Sequence, residues 1–234
     1  MKKNKILLMA SVACTFMFTS CSDLLDLYPE DSLSDPKFWT SVQDLELYAN
    51  GFYGILPGAQ GPGADDESDC YVNEKPKTWI FYLETIPTSG GGWGSGDWGN
   101  IRSCNYFMDR YKRVQGDEEQ INRSVAVVRF FRAWEYVYKV KRFGDVPWYE
   151  TELQMDSEQL YKGRDSRKVV FTHILEDLDF AITNLSTTPS VYTVTKWTAL
   201  SLKSRVCLFE GTFRKYHNLN LSTNADFFLQ ESIT

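Results

Sequence analysis

Long apolar runs are nearly absent from this sequence. A single one, at the extreme N-terminus, approaches membrane length, so no other segment is expected to cross a bilayer as a helix. Histidine is scarce: His173 and His217 stand alone on separate helical segments, and Gly-x-Ser-x-Gly, His-Glu-x-x-His and phosphate-loop patterns are missing. That removes the usual signatures of serine hydrolases, zinc proteases and nucleotide-binding enzymes. An excess of positive charge is also missing. Net charge is -6, and once Lys2, Lys3 and Lys5 are set aside with the leader, 22 basic residues face 31 acidic ones. Nucleic acid is therefore excluded as a partner. Aromatic residues, by contrast, are plentiful at 15%, in a chain of 234 residues that suffices for one domain or two small ones.

The N-terminus reads as an export signal. Met1 to Lys5 is cationic, Ile6 to Phe18 is apolar apart from Ser11 and Thr15, and small polar Thr19 and Ser20 precede Cys21. Residues 1–20 are predicted to be a signal peptide. Phe18-Thr19-Ser20-Cys21 resembles a relaxed bacterial lipobox, with Phe18 where the strict pattern has leucine. Acylation of Cys21, with palmitate among the chains, would hold the protein on a membrane, since each buried methylene contributes about 0.8 kcal/mol. The competing reading is an ordinary secreted protein cleaved near Ser20. Residues 21–35, acidic and broken by Pro29, read as the lipidated N-terminus and tether, and residues 36–234 as the folded domain.

Cysteine carries little chemistry. Cys14 leaves with the leader, and the odd set Cys70, Cys104 and Cys207 allows at most one disulfide. Cys104 and Cys207 fall on apolar helix faces and read as packing; no metal-ligand spacing links the three, and no cofactor is predicted. The run Asp65-Asp66-Glu67-Ser68-Asp69 lacks the spaced ligands and distal glutamate of an EF-hand and reads as a solvated acidic loop.

Helices dominate what remains, and an all-α fold follows. Asp35-Pro36 predicts a first helix to about Tyr53, with Phe38, Val42, Leu45, Ala49 and Phe52 on one face. A long irregular stretch from Gly54 to Gly96 follows, holding a strand-like run with Trp79, Phe81 and Tyr82 that reads as core. Asp97 is expected to cap a second helix that ends near Gly116. Asp117 caps a third, aromatic nearly all round and therefore central, which Gly144 and Pro147 stop. Ser166 caps a fourth with Phe171, Ile174, Leu178 and Leu185 in register. Thr195 caps a fifth with Trp197, Leu200, Ser204, Cys207 and Leu208 along one side, and Asn224 opens a sixth that runs to the last residues, which suggests a fragment of a longer protein. Unequal intervals between helix starts point to irregular, tetratricopeptide-like hairpins.

Several stretches then match one family together. Cys21-Ser22-Asp23-Leu24-Leu25-Asp26, Asp35-Pro36-Lys37-Phe38-Trp39, Ile101-Arg102-Ser103-Cys104-Asn105, Arg129-Phe130-Phe131-Arg132-Ala133-Trp134, Arg142-Phe143-Gly144-Asp145-Val146-Pro147-Trp148 and Thr195-Lys196-Trp197-Thr198-Ala199-Leu200 occur in the order seen in the SusD/RagB family. The chain resembles the N-terminal half or less of such a protein. The resemblance implies a helical fold with tetratricopeptide-like hairpins, no catalysis, and a place at the outer membrane facing the cell surface. It implies a role in polysaccharide utilisation and nutrient uptake: a glycan ligand, and a TonB-dependent transporter of the SusC type as partner. The alternative is a lipid-anchored adaptor that binds only protein, or a truncated fragment without its own sugar site.

Sugar sites set aromatic faces against pyranose rings and bond the hydroxyls with amides, carboxylates and arginines. Trp93, within the glycine run 90–96, and Trp98 beyond it are the candidate platforms, with Asp97, Asn100 and Arg102 as polar partners. Trp98, three residues before Ile101, reads first as the opening core residue of its helix. Trp93 stands evenly between ligand contact and packing. Trp134, Trp148 and Trp197 read as packing.

Overall fold

The computed structural model describes residues 38–58, 74, 91–219, 221 and 223–233, and the fold below is that of the unit Trp39–Thr234. The readings of residues 1–35, of the acidic run 65–69, of Cys70 and of Trp79, Phe81 and Tyr82 lie outside the described residues. Six α-helices carry the fold: α1 (Val42–Asn50), α2 (Gly99–Arg110), α3 (Glu118–Phe143), α4 (Arg167–Asn184), α5 (Lys196–Tyr216) and α6 (Ala225–Glu231). The all-α expectation holds. Among the described residues the only β pairing is an isolated antiparallel bridge between Val146 and Asp165.

Side-chain caps set most helix starts. Asp117 accepts the Gln120 N–H, Ser166 that of Val169 and Asn224 that of Phe227, as their sequence positions predict. The predicted start of the first helix, Asp35-Pro36, lies outside the described residues, and the described part is interrupted: Phe38 is helical, Trp39 and Thr40 turn, and α1 opens at Ser41. The Ser41 hydroxyl accepts the Asp44 N–H at 3.3 Å while the Asp44 carboxylate accepts the Ser41 N–H at 2.8 Å, a reciprocal box. A 3-10 turn, Gly51–Ile55, extends the helix. Asp97 differs from expectation: it closes a 3-10 turn, Ser95–Trp98, by accepting the Gly94 N–H at 2.8 Å, and Trp98 is the N-cap of α2. That helix yields to a 3-10 turn at Tyr111, short of Gly116.

α3 is the axis of the molecule. At 26 residues it is about 39 Å long, and α1, α2 and α4 all pack on it. Phe130, Phe131, Ala133, Tyr136 and Val140 are fully enclosed, which explains why its sequence is apolar on several faces. Gly144 ends it with a φ of 72°, a conformation that glycine adopts without a Cβ clash.

α5 packs between α4 and α6, but with a different face inward from the one its apolar residues suggest. Trp197 and Leu208 are each 52% exposed, whereas Ala199, Leu202, Val206, Cys207, Gly211 and Arg214 are buried. Close approach decides the face. A Cβ on Gly211 would lie 2.9 Å from Leu229 of α6, so only glycine lets the two helices meet there. Trp197 instead donates its indole N–H to the Thr187 carbonyl at 2.8 Å.

Two buried carboxylates tie these layers. Asp177 of α4 accepts from Arg129 Nε at 2.6 Å and from Arg132 Nε and Nη2 at 2.7 and 2.8 Å, and Arg132 passes a further bond to Asn105 of α2. Burial weighs against the Arg132 charge, but Asp177 overrides it and holds the guanidinium above its ordinary pKa. Glu210 of α5 accepts from Arg167 Nε and Arg214 Nε, each at 2.6 Å. Removing one partner of such a cluster leaves an uncompensated buried charge and costs about 3–5 kcal/mol.

Candidate functional site

The glycine run is anchored through its carbonyls. Gly91 and Gly92 take positive φ values of 63° and 91°, which turns their carbonyls toward α3. Arg142 Nε donates to Gly91 at 2.6 Å and Lys139 Nζ to Gly92 at 2.7 Å. A Cβ on Gly92 would touch the Phe143 ring at 3.4 Å, so the loop lies close on the end of α3.

That turn delivers Trp93 to a cluster of rings. Its indole meets Phe143 edge-on at 4.8 Å and Trp98 at 5.2 Å with the two planes perpendicular, and Trp98 meets Tyr149 at 6.0 Å. In each edge-to-face pair the rim of one ring meets the face of the other, which fixes the orientation of the rings. The Arg164 guanidinium lies 4.5 Å from the Trp93 ring and the Lys139 ammonium 4.9 Å from that of Trp98. Burial lowers the Lys139 pKa, against the pull of Asp97 and Glu135.

A strap between α3 and α4, residues 144–166, supplies the opposite wall. Its neck is closed by the Val146–Asp165 bridge and by Asp145, which accepts the Arg167 N–H at 2.7 Å. Asp165 accepts the Trp148 N–H and a Lys162 bond, each at 2.7 Å. Burial opposes the Asp165 charge, but these bonds hold its carboxyl below the ordinary range. Trp148 is buried between Tyr136, at 4.1 Å, and His173, at 4.8 Å, as its packing reading requires. Tyr149 is pinned twice: its N–H donates to the Tyr136 hydroxyl and its carbonyl accepts from Asn105, each at 2.8 Å. Further out, Glu152 accepts from Arg102 and Arg110, each at 2.9 Å.

Between loop and strap opens a cleft of about 800 Å³, lined by Trp93, Trp98, Arg102, Tyr149, Met155 and Lys162 among others. Three of the five residues singled out in the sequence, Trp93, Trp98 and Arg102, come together there. The other two do not line it: Asp97 is engaged with Gly94, and Asn100 donates to Glu135 of α3 at 2.9 Å. Sequence reasoning missed Tyr149, Met155 and Lys162. Their only local signal is the Gly144–Pro147 helix stop, which starts the strap. Cys104 and Cys207 are buried as expected, and burial pushes both thiols up, Cys207 to about 12. Among the described residues no group of His, Cys, Asp and Glu is placed to hold a metal ion.

Residues 95–207, which include most of the cleft, match the SusD-like family model described as "Starch-binding associating with outer membrane". A SusD-like protein of Bacteroides ovatus is 26% identical over 217 residues, 88% of this chain but 39% of that protein. A crystal structure of a SusD-like protein from Bacteroides fragilis superposes with a TM-score of 0.66 at 26% identity, over 80% of this chain and 39% of the other. The same fold occurs in a laminarin-binding SusD-like protein (TM-score 0.56, 21% identity, 74% of this chain and 41% of the other). It occurs again in a structure solved with xylogluco-oligosaccharide (0.57, 22%, 80% and 38%). The chain thus spans about two fifths of the length of its relatives. Sequence match, helix order and superposition agree, and over this span the chain is similar to the SusD-like proteins of the SusD/RagB family.

Proposed function

We propose that the protein is a non-catalytic, carbohydrate-binding lipoprotein of the outer membrane, anchored through Cys21 and facing the cell surface. It captures oligo- or polysaccharide and delivers it to a SusC-like TonB-dependent transporter. One observation carries the binding role: Trp93, Trp98 and Tyr149 form an edge-to-face cluster lining an open cleft, the kind of aromatic surface on which a pyranose ring packs. Two proteins of the same fold are named for laminarin binding and for a bound xylogluco-oligosaccharide, which supports carbohydrate as the ligand class. Capture without cleavage suits the lining, which among the described residues includes no aspartate or glutamate, whereas glycoside hydrolysis uses a pair.

The test is affinity electrophoresis of the full chain in gels containing single polysaccharides, with Trp93→Ala alongside. Retardation by at least one glycan, abolished in the variant while its circular-dichroism melt stays cooperative, is expected. Retardation by none sinks the reading. The anchor is checked separately: Cys21→Ala should release the protein from membranes and abolish palmitate labelling. The transporter role is checked by co-purification from solubilised outer membranes.

A further inference from the structure

The cleft is cationic in a chain whose net charge is -6. Arg102 and Lys162 line it, and among the described residues no carboxylate does. Three further cations stand directly behind its rings. Arg164 lies against Trp93 and donates to the Phe143 carbonyl at 3.4 Å, Arg142 donates to Gly91, and Lys139 to Gly92. Among the described residues none of these three is paired with a carboxylate; Asp97 and Glu135 act on Lys139 only at longer range. The two lining cations do have partners, Glu152 for Arg102 and Asp165 for Lys162. The first of these pairs is loosely made. Arg102 keeps 61% of its side chain exposed, and the second oxygen of Glu152 belongs to Arg110, so the Arg102 fork is free to take another anion.

A neutral sugar presents hydroxyls that donate as well as accept, and a site built for it supplies acceptors, commonly carboxylates. Among the described residues this lining supplies charged donors and aromatic rings, with acceptors only on neutral side chains such as Ser95, Thr151 and Gln154. A carboxylate or sulfate accepts only, and its paired oxygens match a guanidinium fork. Resting on the glycan-cleft reading above, we infer that the ligand is an anionic glycan, carrying uronate carboxylates or sulfate esters, whose rings pack at Trp93 and Trp98 while its charges meet Arg102 and Lys162.

The experiment titrates the full chain, by calorimetry at low and at raised salt, with polygalacturonate as the carboxylate arm, dextran sulfate as the sulfate arm, and neutral laminarin and xyloglucan. One or both anionic polymers should bind more tightly than the neutral ones and weaken as salt screens the charges. Arg102→Gln should weaken that binding about tenfold, the loss of one charge-assisted hydrogen bond. Lys215→Gln, a cation at the far end of α5, should change nothing. Neutral polymers binding as well as or better than anionic ones would overturn the inference and leave the glycan cleft standing. Anionic binding that ignores Arg102, or falls equally in Lys215→Gln, would overturn it as well, by placing the polymer elsewhere. Binding to none of the four would remove the cleft reading along with the inference.

Discussion

The Asp177 and Glu210 clusters and the Trp93–Tyr149 cleft are built from the same materials, arginines, carboxylates and aromatic rings, put to opposite uses. In the clusters each carboxylate lies buried between two guanidiniums, and the aromatic neighbours are enclosed with them, as where Arg167 lies 3.9 Å from the Phe213 ring. At the cleft the cations reach backbone carbonyls and ring faces, and the carboxylates stand outside the lining. The first arrangement satisfies itself and fixes helices against one another. The second holds its parts in place while leaving rings and donors toward solvent. Stability and binding therefore reside in separate residues and can be altered separately.

The strongest way to break that separation is Asp177→Ala, which strands Arg129 and Arg132; it should cost about 3–5 kcal/mol in urea unfolding. A loss below 1 kcal/mol would mean that the cluster does not organise α2, α3 and α4. Next is Trp93→Ala, where glycan binding should disappear while unfolding free energy falls by no more than about 3 kcal/mol, the scale of its two edge-to-face contacts with Phe143 and Trp98. A collapse of the melt would show that the loop belongs to the core. A smaller effect is set by pH at the strap. Because the Asp165 carboxyl titrates below its ordinary value of 3.8, its stabilising contribution is complete above that pH and is lost as pH falls through the lower folded value. Trp148 fluorescence should report strap release on that acid limb, and Asp165→Asn should flatten it. The least change is expected from Arg102→Ala, whose exposed ion pair should shift stability by under about 0.5 kcal/mol by thermal melt.

These contrasts also explain what was legible in the sequence. Asp117, Ser166 and Asn224 announce their helices because a cap is decided within three residues. The break before α1 is equally local, set by the Ser41-x-x-Asp44 box. The inward face of α5, by contrast, was hidden: apolar Trp197 and Leu208 look buried, whereas Glu210 and Arg214, which look exposed, are buried because Arg167, far away in sequence, completes their charge balance. Half of the cleft was readable in the glycine run and its tryptophans. The other half, Tyr149 and Lys162, depends on where the strap folds back, and that is set by Tyr136, Asn105 and Asp165 acting across the fold.

The strap's closed neck has a consequence for how this surface can diversify. With Asp145 bonded to the start of α4 and Val146 bridged to Asp165, the segment is a ring whose ends meet whatever its contour does beyond them. The entropy of closing such a ring grows only with the logarithm of its length. Residues added or removed around Met155 and Asp156 would thus reshape the cleft rim at little thermodynamic penalty, without disturbing the register of the helices that carry it. The neck turns one wall of the cleft into an exchangeable part, and ligand preference can drift there while the scaffold stays fixed.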